Sequence, residues 1–568
     1  MGVHGANLLQ SAARRRALLL TLALLTVCYT WSSVRRLADL TQVEPELPAG
    51  AAAGGLLQRA EANIASHLHG AATFRGVVTG GAAGAAGEQQ QKQPIVLKQQ
   101  EQQQQQGAAG GGSGTAAGGA AAGGAAAGGK ARPAVDPSKC NMKKNTDYWG
   151  DALVWGNNHK VDSAGECCAA CLAYKPKSKD DTDCNVWVYC EDPKLCGEHH
   201  RECWLKHLAH PSAVAPAKQG PDVGWTTGLM ADVPEPATSD ETVGGPERKY
   251  HVVITAAGSA VHWQSRVAYY WYKKIQKQCE ARGNCQMGGF TRLLHTGQPD
   301  DLMKEIPTWV AQPLPPEHPD HGYIVLNRPY ALLQWVKAVT IPEKYVLMSE
   351  PDHLWLKPMP NLMKGENPAA FPFFYIEPAK KEYRKIVETF LGPLTTKEAE
   401  QIAPIGNAPT MMSWEDMKRV MPHFFNLSIA VHNDQAASKE WGWVQEMYAF
   451  TLACYKAGIR NIGLHLKMMS QPPWDEKLDP FYILHYTYGM DYTLEGVFTP
   501  GKYGEWRFDK RSYASKPPPR NLGEPPAGMK NELVRRLIHA INEATSKIPG
   551  WDDYERTGVA TQLWDGVV

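Results

Sequence analysis

Glu350, Asp352 and His353 fall within four positions of the run YVLMSEPDHLW, Tyr345–Trp355. Tyr345–Met348 is apolar and rich in β-formers, which predicts a buried strand. Pro351 has no N–H to give a ladder, so the strand must end there and the chain must turn out of the sheet. Two carboxylates and an imidazole therefore come to the C-terminal edge of a central strand, where open α/β sheets bind their ligands. Hard oxygen donors so placed suit a divalent cation, Mn²⁺ or Mg²⁺, which in turn can neutralise a diphosphate. The plainer alternative is a strand that ends in a solvated acidic turn.

Three other clusters could meet this edge. His485 closes the apolar run FYILHY, Phe481–Tyr486, and offers an imidazole ligand. GEWRFDKR, Gly504–Arg511, carries Arg507 and Lys510, cations able to stabilise a departing nucleotide. Arg328 stands just before Pro329, at a helix start, from where it could reach a phosphate. No G-x-S-x-G, P-loop or G-x-G-x-x-G pattern occurs in this part of the chain, so hydrolase, NTPase and dinucleotide readings lose their usual basis.

The elements that must position these residues follow from periodicity. Tyr250–Ala256 reads as a buried first strand, broken by Gly258, and Trp263–Glu280 as a helix whose face carries Trp263, Val267, Tyr270 and Trp271. Gly288–His295 reads as a second strand, and a helix over Ala331–Thr340 feeds the strand at Tyr345. This alternation predicts a mostly parallel α/β sheet covered on both faces. Ala369–Ile376, Ile405–Met412 and Phe481–Tyr486 are further strand or loop candidates, and Lys439–Ala457 an amphipathic helix.

The 568 residues leave room for several domains, and a formal charge of +1 gives no indication of a nucleic-acid partner. Residues 1–16 read as a cytoplasmic tail ending in Arg14–Arg16, and Ala17–Val34 as an uncharged transmembrane signal anchor of type II topology. A cleaved signal peptide is the alternative. Residues 35–135 form a low-complexity Gly/Ala/Gln stalk, unable to bury enough apolar surface to fold. Eight of the twelve cysteines lie between Cys140 and Cys203, a density that in an oxidising lumen predicts disulfides rather than zinc. Cys279 and Cys285 are expected to pair as well. The pattern SAGECCAACL…CNVWVYC…CWLK resembles a PAN/Apple module, over residues 136–230, with protein or carbohydrate capture as its implied role and a stapled spacer as the alternative. A linker at 231–247, a large domain at 248–555 and a C-terminal tail at 556–568 complete the expected organisation.

Within the large domain, the ordered blocks WYKK (Trp271–Lys274), MGGFTRLLH (Met287–His295), VLNRP (Val325–Pro329), EPDH (Glu350–His353), PIGN (Pro404–Asn407), HYTYG (His485–Gly489) and GEWRFDKR closely resemble plant and algal hydroxyproline O-arabinosyltransferases. The resemblance implies a GT-A-type, Rossmann-like glycosyltransferase domain in the Golgi membrane, with its catalytic part in the lumen. It implies UDP-β-L-arabinofuranose as donor and hydroxyproline-rich glycoproteins of the extensin kind as acceptors. Glu350–Asp352 then stands where such enzymes carry a D-x-D, and Glu350, Asp352 and His485 become the expected metal ligands. Arg328, Arg507 and Lys510 are expected around the diphosphate, and Thr255 and Ala256 near the uridine. Donor and product of the family share the β configuration, which implies retention. Glu446 and Asp434 are then the carboxylates to test as nucleophile or ion-pair stabiliser. Trp441, Trp443 and Tyr448 could form an acceptor platform or belong to the core. Two competing functions remain: a peptidyl-serine galactosyltransferase acting on the same glycoproteins, and a non-catalytic glycoprotein-binding protein.

Overall fold

The computed structural model describes residues 139–178, 181–230 and 245–567. The expected cytoplasmic tail, anchor and stalk, and most of the linker, lie outside the described residues. Among the described residues no helix is long and apolar enough to cross a membrane.

The cysteine-rich segment folds as a five-stranded antiparallel sheet covered by the helix Ala164–Ala173. Ser163 caps that helix by accepting the N–H of Glu166, and the turns that follow bury Cys167, Cys168 and Cys171 against the sheet. Four disulfides then fasten it: Cys140–Cys168, Cys167–Cys203, Cys171–Cys184 and Cys190–Cys196. A core this small, built on Val186, Trp187, Val188 and Leu205, is of the size that commonly depends on cross-links. Cys279–Cys285 forms the fifth bridge, and Cys454 is buried and free.

The large domain opens with β1 (Tyr250–Ala256), α1 (His262–Glu280), β2 (Met287–Leu294), β3 (Thr308–Val310), α2 (Asn327–Ala338) and β4 (Tyr345–Ser349). The spacing of Trp263, Val267, Tyr270 and Trp271 does put all four in the core. After β4 come β5 (His353–Trp355), β6 (Ala369–Pro372), β7 (Ile405–Ser413), α3 (Trp414–Asn433), α4 (Gln435–Trp441), α5 (Gln445–Lys456), β8 (Gly463–Leu464), β9 (Met469–Ser470), β10 (Ile483–His485), β11 (Met490–Tyr492) and β12 (Trp506–Phe508).

Seven strands make the main sheet in the order β3-β2-β1-β4-β7-β6-β8. It is mostly parallel, as expected, with one strand reversed: β3, β2, β1, β4, β6 and β8 run together, whereas β7 runs against both β4 and β6. A parallel neighbour needs a crossover past the sheet; from β6 the chain returns to β7 from the end at which it left. The helix predicted over 439–457 is also divided. Gly442 takes a φ of +49°, in the left-handed region, ending α4 and separating it from α5.

The central strand behaves as its composition requires. Val346 and Leu347 are fully buried between β1 and β7, and the ladder stops at Ser349, two residues before Pro351. The chain then leaves the main sheet. β5 pairs antiparallel with β10 in a separate three-stranded sheet, with His353 opposite His485.

The stretch expected as a C-terminal tail packs back onto the domain. Helices α6 (Glu532–Lys547) and α7 (Trp551–Thr557) precede it. Beyond α7, Trp564 is only 5% exposed and rests against Tyr269 and Tyr270 of α1. Its backbone N–H is given to the Glu305 carboxylate at 3.2 Å. Glu305 in turn meets the Arg266 guanidinium through two bonds of 2.8 and 2.6 Å, with both side chains wholly buried.

Candidate active site

The site assembles where β4 ends. Asp352, 2% exposed, lies in the turn between β4 and β5. Its Oδ2 faces His485 Nε2 at 3.2 Å and the ammonium of Lys510. His485 is delivered by the last residue of β10. Lys510 is delivered by a short 3-10 turn, Lys510–Tyr513, capped by Asp509. Burial works to raise the Asp352 carboxyl, but Lys510, His485 and His353 together hold it well below the usual carboxylate range. It is an anion at every physiological pH.

His353 brings the set to three groups whose ligand atoms lie within 4.8 Å of one another. The sequence shows this imidazole in E-P-D-H, yet only the β5–β10 register places it beside His485, with ring centroids 4.7 Å apart. Its Nδ1 receives the backbone N–H of Glu350 at 3.3 Å and faces Ser349 Oγ at 2.9 Å. An Nδ1 that accepts leaves the hydrogen on Nε2, so His353 steadies the turn, while Asp352 and His485 are left as the candidate ligands, paired with each other and with Lys510. Those two fit a hard divalent cation. Two ligands at right angles on such an ion stand about 3 Å apart, close to the observed 3.2 Å. The outer His485 Nδ1 is buried without a partner.

Glu350, expected as a third ligand, is held elsewhere. Its carboxylate lies 3.1 Å from Arg328 Nη1, which donates at 2.9 Å to Glu446 Oε2. The reason is α2: its first turn carries Arg328 to the end of β4, where one guanidinium serves two carboxylates. One positive charge between two carboxylates leaves the triad a proton short of neutral. Burial pushes the Glu446 carboxyl up to about 7, with Arg328 pulling it down and Glu350 pushing it further up. The proton belongs on Glu446 because its side chain is 9% exposed against 22% for Glu350, and its Oε1 has no partner.

A folded pKa above the free value of 4.5 means that the native state holds this proton more tightly. The resulting stability is complete below about 4.5 and is lost as pH rises through about 7. Thermal unfolding of the parent chain between pH ~5 and ~8 is therefore expected to lose on the order of 3 kcal/mol through this group. Glu446→Gln should flatten that part of the profile; parallel profiles for parent and variant would assign the dependence to other groups.

The remaining expected residues divide. Thr255 and Ala256 sit at the end of β1, alongside the end of β4, and Thr255 Oγ1 is buried without a partner. Arg507 does not touch Asp352; Asp491 at 2.6 and 2.7 Å and Asp509 at 2.6 Å absorb its charge. Asp434 caps α4 by accepting the N–H of Ala437 at 2.8 Å. Trp441 and Tyr448 are 3% and 1% exposed and stack face to face at 4.1 Å, so they are core and not an acceptor platform. Trp443, partly buried, packs against the same core.

Residues 250–463 match the sequence profile of the hydroxyproline O-arabinosyltransferase family N-terminal domain, and residues 482–552 that of its C-terminal domain. Residues 146–206 match a PAN domain. Hydroxyproline O-arabinosyltransferase 1 of Arabidopsis thaliana is 49% identical over 348 residues, which is 60% of this chain and 92% of that protein. Hydroxyproline O-arabinosyltransferase PLENTY of Lotus japonicus is 47% identical, over 54% of this chain and 83% of its own length. Peptidyl serine alpha-galactosyltransferase of Arabidopsis thaliana reaches 22% over 54% of this chain and 36% of its own length. A crystallised galactosyltransferase bound to donor and acceptor sugar analogues overlaps 42% of this chain and 87% of its own, at 13% identity and a TM-score of 0.26. The large domain, with its acidic turn at the end of β4, is that of a glycosyltransferase, set behind a PAN domain. The chain belongs to the hydroxyproline O-arabinosyltransferase family.

Proposed function

We propose that this enzyme transfers L-arabinofuranose from UDP-β-L-arabinofuranose to the 4-hydroxyl of hydroxyproline in secreted, cell-wall glycoproteins, with retention of configuration and with a divalent metal. The observation that carries the reading is the Asp352–His485–Lys510 constellation, inside the two matched family domains. A GT-A-type architecture accords with it: parallel strands lead to β4, whose acidic turn abuts an antiparallel neighbour.

Asp352 and His485 would hold Mn²⁺ or Mg²⁺, which supplies positive charge to a leaving diphosphate. Lys510 is then free to add its ammonium to the same oxygens, since its carboxylate partner has a second cation to serve. Thr255 and Ala256 stand at the edge where a uridine base would rest. Glu446, its Oε2 held by Arg328 and its Oε1 without a partner, would face a developing positive charge at the anomeric carbon as a carboxylate once it gives up its proton. Five disulfides accord with folding in an oxidising lumen, and with them the anchored, type II Golgi topology proposed from Arg14–Arg16 and Ala17–Val34.

The purified chain, supplied in turn with UDP-arabinofuranose and UDP-galactose, is expected to glycosylate a hydroxyproline peptide with arabinose. Matched proline and serine peptides should remain unmodified, because proline lacks the reacting oxygen and serine holds it in another place. Preferential transfer of galactose to serine would overturn the assignment.

A further inference from the structure

Asn426-Leu427-Ser428 is the one N-x-S/T sequence in the 568 residues, and it lies inside α3. An Asn so followed is an acceptor for N-linked carbohydrate in a lumenal protein. The helix turns the two ends of the motif in opposite ways. The Asn426 side chain is exposed, whereas Ser428 is 4% exposed and its hydroxyl donates to the Phe424 carbonyl at 2.7 Å. We propose that Asn426 carries an N-linked glycan, added before α3 packs into the domain. The proposal rests on the lumenal placement proposed above.

The folded domain has room for it. His423, Asn426 and Ala430, spaced by three and four along α3, form one wall of a groove of about 300 Å³. Thr389 and Phe390 of the helix Arg384–Leu391, with Lys456 at the end of α5, form the other. The face that α3 buries carries Met417, Val420, Met421, Phe424 and Leu427, which leaves Asn426 outside the core. Carbohydrate on its Nδ2 therefore meets solvent and an open groove, and displaces nothing that holds the fold.

The order of events follows from Ser428. An enzyme that recognises the motif must reach the Ser hydroxyl as well as the Asn amide, and packing seals that hydroxyl against Phe424. Two features keep the stretch open on a growing chain. Pro422 stands within α3, four residues before Asn426, and removes one helical N–H bond, so the helix is weak without tertiary support. That support comes from α5, where Phe450 meets Phe424 at 5.2 Å, and α5 is synthesised after the motif. On the open chain Asn426 Nδ2 attacks the anomeric carbon of a lipid-diphosphate-linked oligosaccharide. The N–C bond forms as the bond from that carbon to the diphosphate oxygen breaks. The lipid diphosphate leaves with the electron pair, and Nδ2 gives up one proton to a base of the transferring enzyme.

The test uses the full chain, made in cells with a secretory pathway, and reads the mass of the denatured polypeptide before and after peptide N-glycosidase. The parent is expected to fall by the mass of one glycan. Asn426→Gln and Ser428→Ala are expected to show no such fall, and Ser428→Thr to retain it. Because the mass is read on denatured chain, a variant that folds poorly still reports. A glycan kept by Asn426→Gln or Ser428→Ala would overturn the site, and so would a parent that forms its five disulfides without one. A parent with neither glycan nor disulfides would overturn the lumenal placement as well. For the order of events, parent chain is synthesised while the lipid-linked donor is blocked, allowed to fold, and then given the donor again. It should stay unglycosylated; late acquisition of the glycan would overturn the proposed order.

Discussion

Asp352→Asn is expected to lower transfer by at least about a thousandfold, some 4 kcal/mol of lost leaving-group stabilisation. The carboxylate is the group shared by His485 and Lys510, and no other acid among the described residues stands in the same cluster of ligand atoms. Asparagine keeps a carbonyl oxygen for both donors, so the fold should survive and the variant should melt within a few degrees of the parent. Excess chelator should bring the parent chain down to the variant's rate. Full activity in either case would mean that the centre has been placed on the wrong residues.

The second large effect concerns stability. Arg266→Met should cost about 3–5 kcal/mol, because it strands a wholly buried Glu305 carboxylate without its counter-charge. The same change removes the guanidinium bond to the Gln562 carbonyl at 3.2 Å and loosens the segment that seats Trp564. Replacing both partners, Arg266→Met with Glu305→Leu, should recover much of the loss, since a buried pair contributes little over apolar residues of like volume. Denaturant unfolding of the three chains checks this. A single variant as stable as the parent would show that the pair is not what holds the C-terminal segment.

What could be read in advance was local. The apolar run before Pro351, the strand-end His485 and the cysteine density each express their outcome within a few residues, and the structure places them accordingly. The Asp434 cap is local in the same way: an Asp immediately before a helix-forming stretch is an N-cap signature. Glu350 was not legible in this way. Its partner depends on where α2 delivers Arg328, a tertiary fact that no periodicity encodes. The same holds for Trp441 and Tyr448, seven positions apart across a helix break, whose stacking decides that they are core.

The pairing of β5 with β10 sets the folding kinetics of the centre. Asp352 and His485 are roughly 130 positions apart in the chain, and strands of only two or three residues hold the join. Closing so long a loop is entropically slow, and little is gained until many contacts form at once. The main sheet can therefore condense around β4 before the centre exists, and a chain caught at that stage is folded in most respects and inert.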